Sequence, residues 1–138
     1  KGPWRALLTL GHRLRRNNRS GSRRNIHAHY DLGNDFYAAW LDETLTYSSA
    51  LFIEPDLTLA EAQLAKIDAV LDRLRLRSGS RLLEIGCGWG SLAARAVDRH
   101  DAIVHALTLS EEQARVAGAR LTALDPGGRS RVSLTDYR

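Results

Sequence analysis

Residues 81–90, Arg-Leu-Leu-Glu-Ile-Gly-Cys-Gly-Trp-Gly, constrain the fold more than any other part of this 138-residue chain. The short apolar run at 81–85 reads as a buried strand, and the glycines that follow read as a tight turn. Gly86 and Gly88 let the backbone reverse and let a ligand approach N–H groups at the start of a helix. The pattern continues with a helix over 91–99, a strand over 102–109 and a helix from Ser110-x-x-Gln113 to about 123. After the loop Asp125-Pro-Gly-Gly128, a third strand covers 131–135. This is one βαβαβ unit with right-handed crossovers and strand order 3-2-1, the first half of a doubly wound α/β sheet. A fourth strand would lie beside the first, whose edge is otherwise bare. The expectation is therefore an incomplete domain that, folded alone, dimerises or swaps strands into a homo-oligomer.

Upstream, Thr58-x-x-Glu61 forms a capping box for a helix over 59–75, with Leu64, Ile67, Val70, Leu71 and Leu74 on one stripe. Asn34 and Asp35 are placed to cap a short helix over 36–41, anchored by Phe36, Tyr37 and Trp40. Residues 3–16 are loosely helical in spacing, with a weak point at Gly11, and 17–22 read as a loop. Two regions result: a basic arm with a helical lid segment over 1–57, and half of a Rossmann-like domain over 58–138.

Charge separates the same regions. Residues 1–30 hold eight Lys/Arg and no acid, leaving twelve basic residues against all sixteen acids in the remainder. A basic amphipathic arm suits an anionic membrane surface, although a solvated tail has the same composition. Nucleic acid is not expected as a partner, since no aromatic interleaving or recognised motif accompanies the arginines. The single cysteine, Cys87, excludes an intrachain disulfide, and no His/Cys spacing suits a metal. His27 and His29 gain no role from chemistry alone. No apolar run approaches the ~20 residues that span a bilayer. The expected setting is cytoplasmic.

Two constellations carry chemistry. Glu84 lies two residues before Gly86, at the strand end, where a carboxylate attracts a cationic ligand and repels a pyrophosphate. S-Adenosylmethionine (SAM), with its sulfonium and ammonium, fits that site better than NAD does. A bare G-x-G-x-G is weak evidence, because dinucleotide folds share it and a ligand-free turn also satisfies it. The second strand ends at Thr108, where dinucleotide folds commonly place the acid that reads a ribose, and here Glu111 and Glu112 follow one turn on, before Gln113. Read locally, the same residues are an ordinary helix start, with Ser110 as N-cap and Gln113 closing the box.

Taken together, HAHYDLGNDFYAAWLDETLTYSSALF, TLAEAQLAKIDAVLDRL, LLEIGCGWGSLAARA, LTLSEEQ and the final DYR occur in one order over about residues 25–138. This array resembles the cyclopropane-fatty-acyl-phospholipid synthases, including the mycolic acid cyclopropane synthases. The resemblance implies a class I SAM-dependent methyltransferase fold. It also implies transfer of a methyl group to a cis double bond in a phospholipid acyl chain, with loss of a proton closing a cyclopropane ring. Quenching of the cation by reduction would instead leave a branched methyl chain. It further implies that Tyr47 and Ser48 meet the cofactor from the lid, that Gly86, Cys87 and Gly88 form the turn under its methionine part, that Glu84 lies near the amino group, and that Thr108 and Gln113 reach the ribose. Ser49 stands where the family usually has a Cys that helps hold a bicarbonate ion, and Leu51 replaces a usual aromatic residue. A serine can still offer that ion a hydrogen bond. The family's other residues around it lie beyond 138, so this chain alone is expected to bind poorly and not to catalyse. A location at the inner face of the membrane follows from the lipid substrate. The alternatives are a methyltransferase of another small molecule and a non-catalytic SAM-binding or interaction module.

Overall fold

Three parallel strands form where the apolar runs predict them, in the computed structural model, which describes residues 33–137. The arm, the helix expected over 3–16, the loop at 17–22, and His27 and His29 lie outside the described residues. Strand β1 (Arg81–Ile85), β2 (Ile103–Thr108) and β3 (Arg131–Leu134) run in the order β1-β2-β3. In register, Leu82 pairs with Val104, Glu84 with Ala106, and Ala106 in turn with Val132. Helices α1 (Gly33–Ala38), α2 (Leu59–Leu74), α3 (Ser91–His100) and α4 (Glu111–Leu124) complete the described elements.

The period-2 alternation of the strands puts Val104 and Ala106 on a buried face. There they join Ile67 and Leu71 of α2, Ala93, Ala96 and Val97 of α3, and Ala117 and Leu121 of α4 in one core. Small residues dominate the helix faces, which brings α3 and α4 close together. A Cβ on Gly90 would sit 2.7 Å from the Ala117 Cβ. The opposite face of the sheet is open at Leu83 and Ile85, which are 57% and 53% exposed. Among the described residues β1 pairs with β2 alone.

Helix α2 starts at the predicted capping box: Thr58 Oγ1 accepts from the Glu61 N–H, and Glu61 accepts from the Thr58 N–H at 2.8 Å. Its apolar stripe is narrower than expected. Ile67 and Leu71 are buried, but Val70 and Leu74 are exposed. Asp68, on the same helix, receives both Arg95 Nε and Arg95 Nη2 at 2.9 Å, and Arg99 at 2.7 Å, so α2 is tied to α3. The Arg95 hydrogen bonds hold the Asp68 carboxyl down at about 2.

The short aromatic helix departs from expectation. It spans Gly33–Ala38, not 36–41, and Asn34 lies inside it instead of capping it. Its side chain makes tertiary hydrogen bonds that set the helix where it is. Of the three expected anchors only Tyr37 is buried, while Phe36 and Trp40 are about half exposed.

Candidate cofactor site at the carboxyl end of the sheet

The predicted turn forms, and its glycines adopt backbone angles that require them: φ is +78° at Gly86 and +54° at Gly88. The N–H groups of Gly86 and Cys87 both donate to the Leu107 carbonyl at 2.9 Å, which joins the turn to the end of β2. A Cβ at either Gly86 or Gly88 would meet nothing within 4 Å, so the turn borders open space. The Cys87 side chain points the other way, into the core. Burial first, and Glu84 second, push its thiol up to about 12, so it is an inert packing group and no nucleophile.

Glu84 lies under this turn. One side of its carboxyl interacts with the backbone of Ala93 in the first turn of α3, while Oε2 is buried with no hydrogen-bond partner. Gly90, the α3 N-cap, supplies no side-chain cap, so Glu84 is the acid that serves this helix start. Burial raises its carboxyl to about 7, against the lowering effect of Ala93. A half-satisfied buried carboxylate of this kind gains most from a donor with positive charge. Open space at two glycines and an incompletely bonded acid two residues before the first of them fit the amino-acid end of SAM.

Thr108 and Gln113, 4% and 5% exposed, sit together at the end of β2. Thr108 Oγ1 donates to Gln113 Oε1 at 2.8 Å and accepts from the Ser110 N–H at 3.2 Å. Ser110 Oγ accepts from the Gln113 N–H, as predicted. The second half of the expected capping box is absent, because the Gln113 side chain turns to Thr108 and not to its own N-cap. The hydroxyl and the carboxamide are thus paired with each other and buried at the carboxyl end of β2.

The lid segment reaches the turn through residues that sequence reasoning did not single out. Trp89 Nε1 donates to Asn34 Oδ1 at 2.7 Å, and Asn34 Nδ2 donates to Glu112 Oε2 at 3.0 Å. Tyr37 packs on Trp89 with ring centroids 5.0 Å apart, and Tyr47 meets Tyr37 edge-on at 5.6 Å. Tyr47 is therefore linked to the glycine turn by a ladder of aromatic rings. Ser48 Oγ accepts from Lys66 Nζ at 2.8 Å. Ser49 is exposed. A separate cleft of about 350 Å³ runs beside α3 and α4 and includes Thr44, Ser91 and Arg120, but none of the predicted cofactor residues. The available signals for Asn34 and Trp89 were their places within polar-aromatic and glycine-rich runs that no local rule explained.

Known proteins are similar to this chain in sequence and fold. The profile of the family described as mycolic acid cyclopropane synthetase matches residues 17–138. Cyclopropane mycolic acid synthase 3 of Mycobacterium tuberculosis is 48% identical over 113 residues, 82% of this chain and 39% of that protein. Tuberculostearic acid methyltransferase UfaA1 of Mycobacterium tuberculosis is 49% identical over 127 residues, 87% of this chain and 30% of that protein. The crystal structure of mycolic acid cyclopropane synthase CmaA1 complexed with SAH and CTAB superposes with a TM-score of 0.75 at 48% identity, over 82% of this chain and 40% of that one. The chain thus spans about two fifths of the length of the first of these relatives. The shared fold is the Rossmann-like methyltransferase α/β fold that the sequence predicts. With the profile covering most of its length, the chain belongs to the mycolic acid cyclopropane synthetase family.

Proposed function

We propose that the protein is a SAM-dependent enzyme that adds a one-carbon group to the cis double bond of an unsaturated phospholipid acyl chain. The observation that carries this reading is the buried, half-bonded Glu84 carboxyl beneath a glycine turn bordered by open space. SAM supplies an electrophilic methyl group when bound. Glu84 takes its ammonium and is held ionised by it. Gly86, Cys87 and Gly88 offer backbone under the methionine part, Cys87 without its side chain. Thr108 and Gln113 face the ribose, and Tyr47 and Ser48 close over the cofactor from the lid. The buried Tyr37 and Trp89 rings pack on one another beside the turn, and Tyr47 meets Tyr37 edge-on. Ser49 offers one hydroxyl to a bicarbonate ion acting as base. That the relatives' names refer to mycolic and tuberculostearic acids supports a long acyl chain as acceptor.

The phospholipid acceptor is what the resemblance implies, and the arm supports a membrane surface as its setting. Eight basic residues without an acid in residues 1–30 attract anionic headgroups, each worth about 1 kcal/mol near the surface. This supports a location at the cytoplasmic face of a membrane. The test is incubation of the full-length gene product with methyl-labelled SAM and anionic vesicles of either unsaturated or saturated phospholipid. Label enters the unsaturated acyl chains, with one added carbon per reacted double bond. Label in headgroups, or equally in saturated lipid, would contradict the assignment.

A further inference from the structure

The backbone of residues 43–48, which carries Tyr47 and Ser48, is gripped by side chains from two different helices. Arg120, in the middle of α4, donates through Nη1 to the Thr44 carbonyl at 2.9 Å and to the Trp89 carbonyl at 3.2 Å. Its Nη2 donates to the Glu43 carbonyl at 3.1 Å, and Nη1 also reaches Ser91 Oγ at 2.7 Å. Ser91 Oγ in turn donates to the same Thr44 carbonyl. One guanidinium thus joins the start of the lid segment to the last residues of the glycine turn. Further along, the buried Gln63 of α2 donates through Nε2 to the carbonyls of Thr46 at 3.2 Å and Ser48 at 2.8 Å, bracketing Tyr47. Lys66 Nζ fixes the Gln63 amide by donating to Oε1 at 2.6 Å.

These contacts have a common form: a planar polar group donating to two neighbouring carbonyls, one or two residues apart, of an irregular segment that lacks a strand or helix partner. Such carbonyls are otherwise left to water, and the segment would then sample many conformations. Arg120 also lies seven residues, two turns, after Gln113 on α4, so one helix carries both a ribose-edge residue and the lid grip. We propose that Arg120 and Gln63 are positioning residues for cofactor binding: they hold the Tyr47–Ser48 segment in place over the glycine turn without touching the cofactor. The inference rests on the cofactor reading above.

The test uses Arg120→Lys and Gln63→Leu, two variants in separate helices, so that misfolding of one does not remove the other. Amide hydrogen exchange is followed at Thr44, Leu45 and Leu51, whose N–H groups bond within this segment or to α2. SAM affinity is measured in parallel. Loss of protection at these amides is expected, with α2 and α4 amides unchanged, and SAM affinity falls about tenfold or more, as misplacement of a binding group requires. A general structural role would lower protection in the helices as well. Unchanged lid protection, or lost protection with wild-type SAM affinity, overturns this inference alone. A wild-type chain that takes up no SAM overturns the cofactor reading and this inference together.

Discussion

The indole N–H of Trp89 donates to the side-chain oxygen of Asn34 at 2.7 Å, joining the glycine turn to a helix that precedes it by 55 residues. Since Asn34 also donates to Glu112 at the start of α4, one carboxamide connects three elements around the site. Replacing Asn34 by Ala removes both bonds and the acceptor that the nearly buried Trp89 indole uses. The expected cost is about 1–2 kcal/mol of stability. Denaturant unfolding followed by tryptophan fluorescence measures it, and a red-shifted native spectrum should accompany the loss. An unchanged midpoint and spectrum would show that the bridge carries no weight.

The buried carboxyl of Glu84 makes stability depend on pH. It is raised from 4.5 to about 7, so the folded chain holds this proton more tightly than the unfolded chain. The stability it contributes is fully present below pH 4.5 and is lost as pH rises through about 7. The total loss is about 3 kcal/mol across that window. Glu84→Gln keeps the shape and removes the titration. The variant should therefore match the wild type below about pH 4 and exceed it in stability above about pH 8. Its SAM binding should be weaker, because the counter-charge is gone. Melting curves at both pH values decide the first point; parallel pH dependence in the two proteins would refute it.

Gly90 and Gly86 both have positive φ, but only one of them is crowded. A Cβ at 90 would lie 2.7 Å from the Ala117 Cβ and 3.0 Å from its Cα, with φ at +84°. Gly90→Ala must push α3 from α4 and should cost about 2–4 kcal/mol. Gly86→Ala meets open space and bears only the backbone penalty, about 1–2 kcal/mol. Unfolding titrations of the two variants should rank them in that order, and a reversed order would mean that α3 and α4 are not packed this closely.

The βαβαβ unit was legible because its signals are local. Apolar runs, glycine turns and the Thr58 box each act within a few residues, and the strands and helices fall within one or two residues of the predicted bounds. Residues whose partners are distant in sequence were not legible. Asn34 reads as a cap until Glu112, 78 residues on, takes its amide. Arg120 carries no local signal, and its role emerges only where it meets the carbonyls of Glu43 and Thr44, 77 and 76 residues earlier. Gln113 resembles the end of a capping box because spacing alone does not reveal that the Thr108 hydroxyl competes for its side chain. The resemblance to a family implied that Thr108 and Gln113 both reach a ribose; the structure shows that they bond to each other.

The most direct test of the central claim is calorimetric titration of SAM into this chain and into its Gly86→Val variant. Gly86 borders open space at a positive φ, so a branched side chain there would occupy the ligand's place and strain the turn. The account predicts weak but saturable one-to-one binding by the wild type and its loss in a variant that keeps its helical circular dichroism. A folded wild-type chain that binds no SAM, or a variant that binds it equally well, would contradict a cofactor site at this turn.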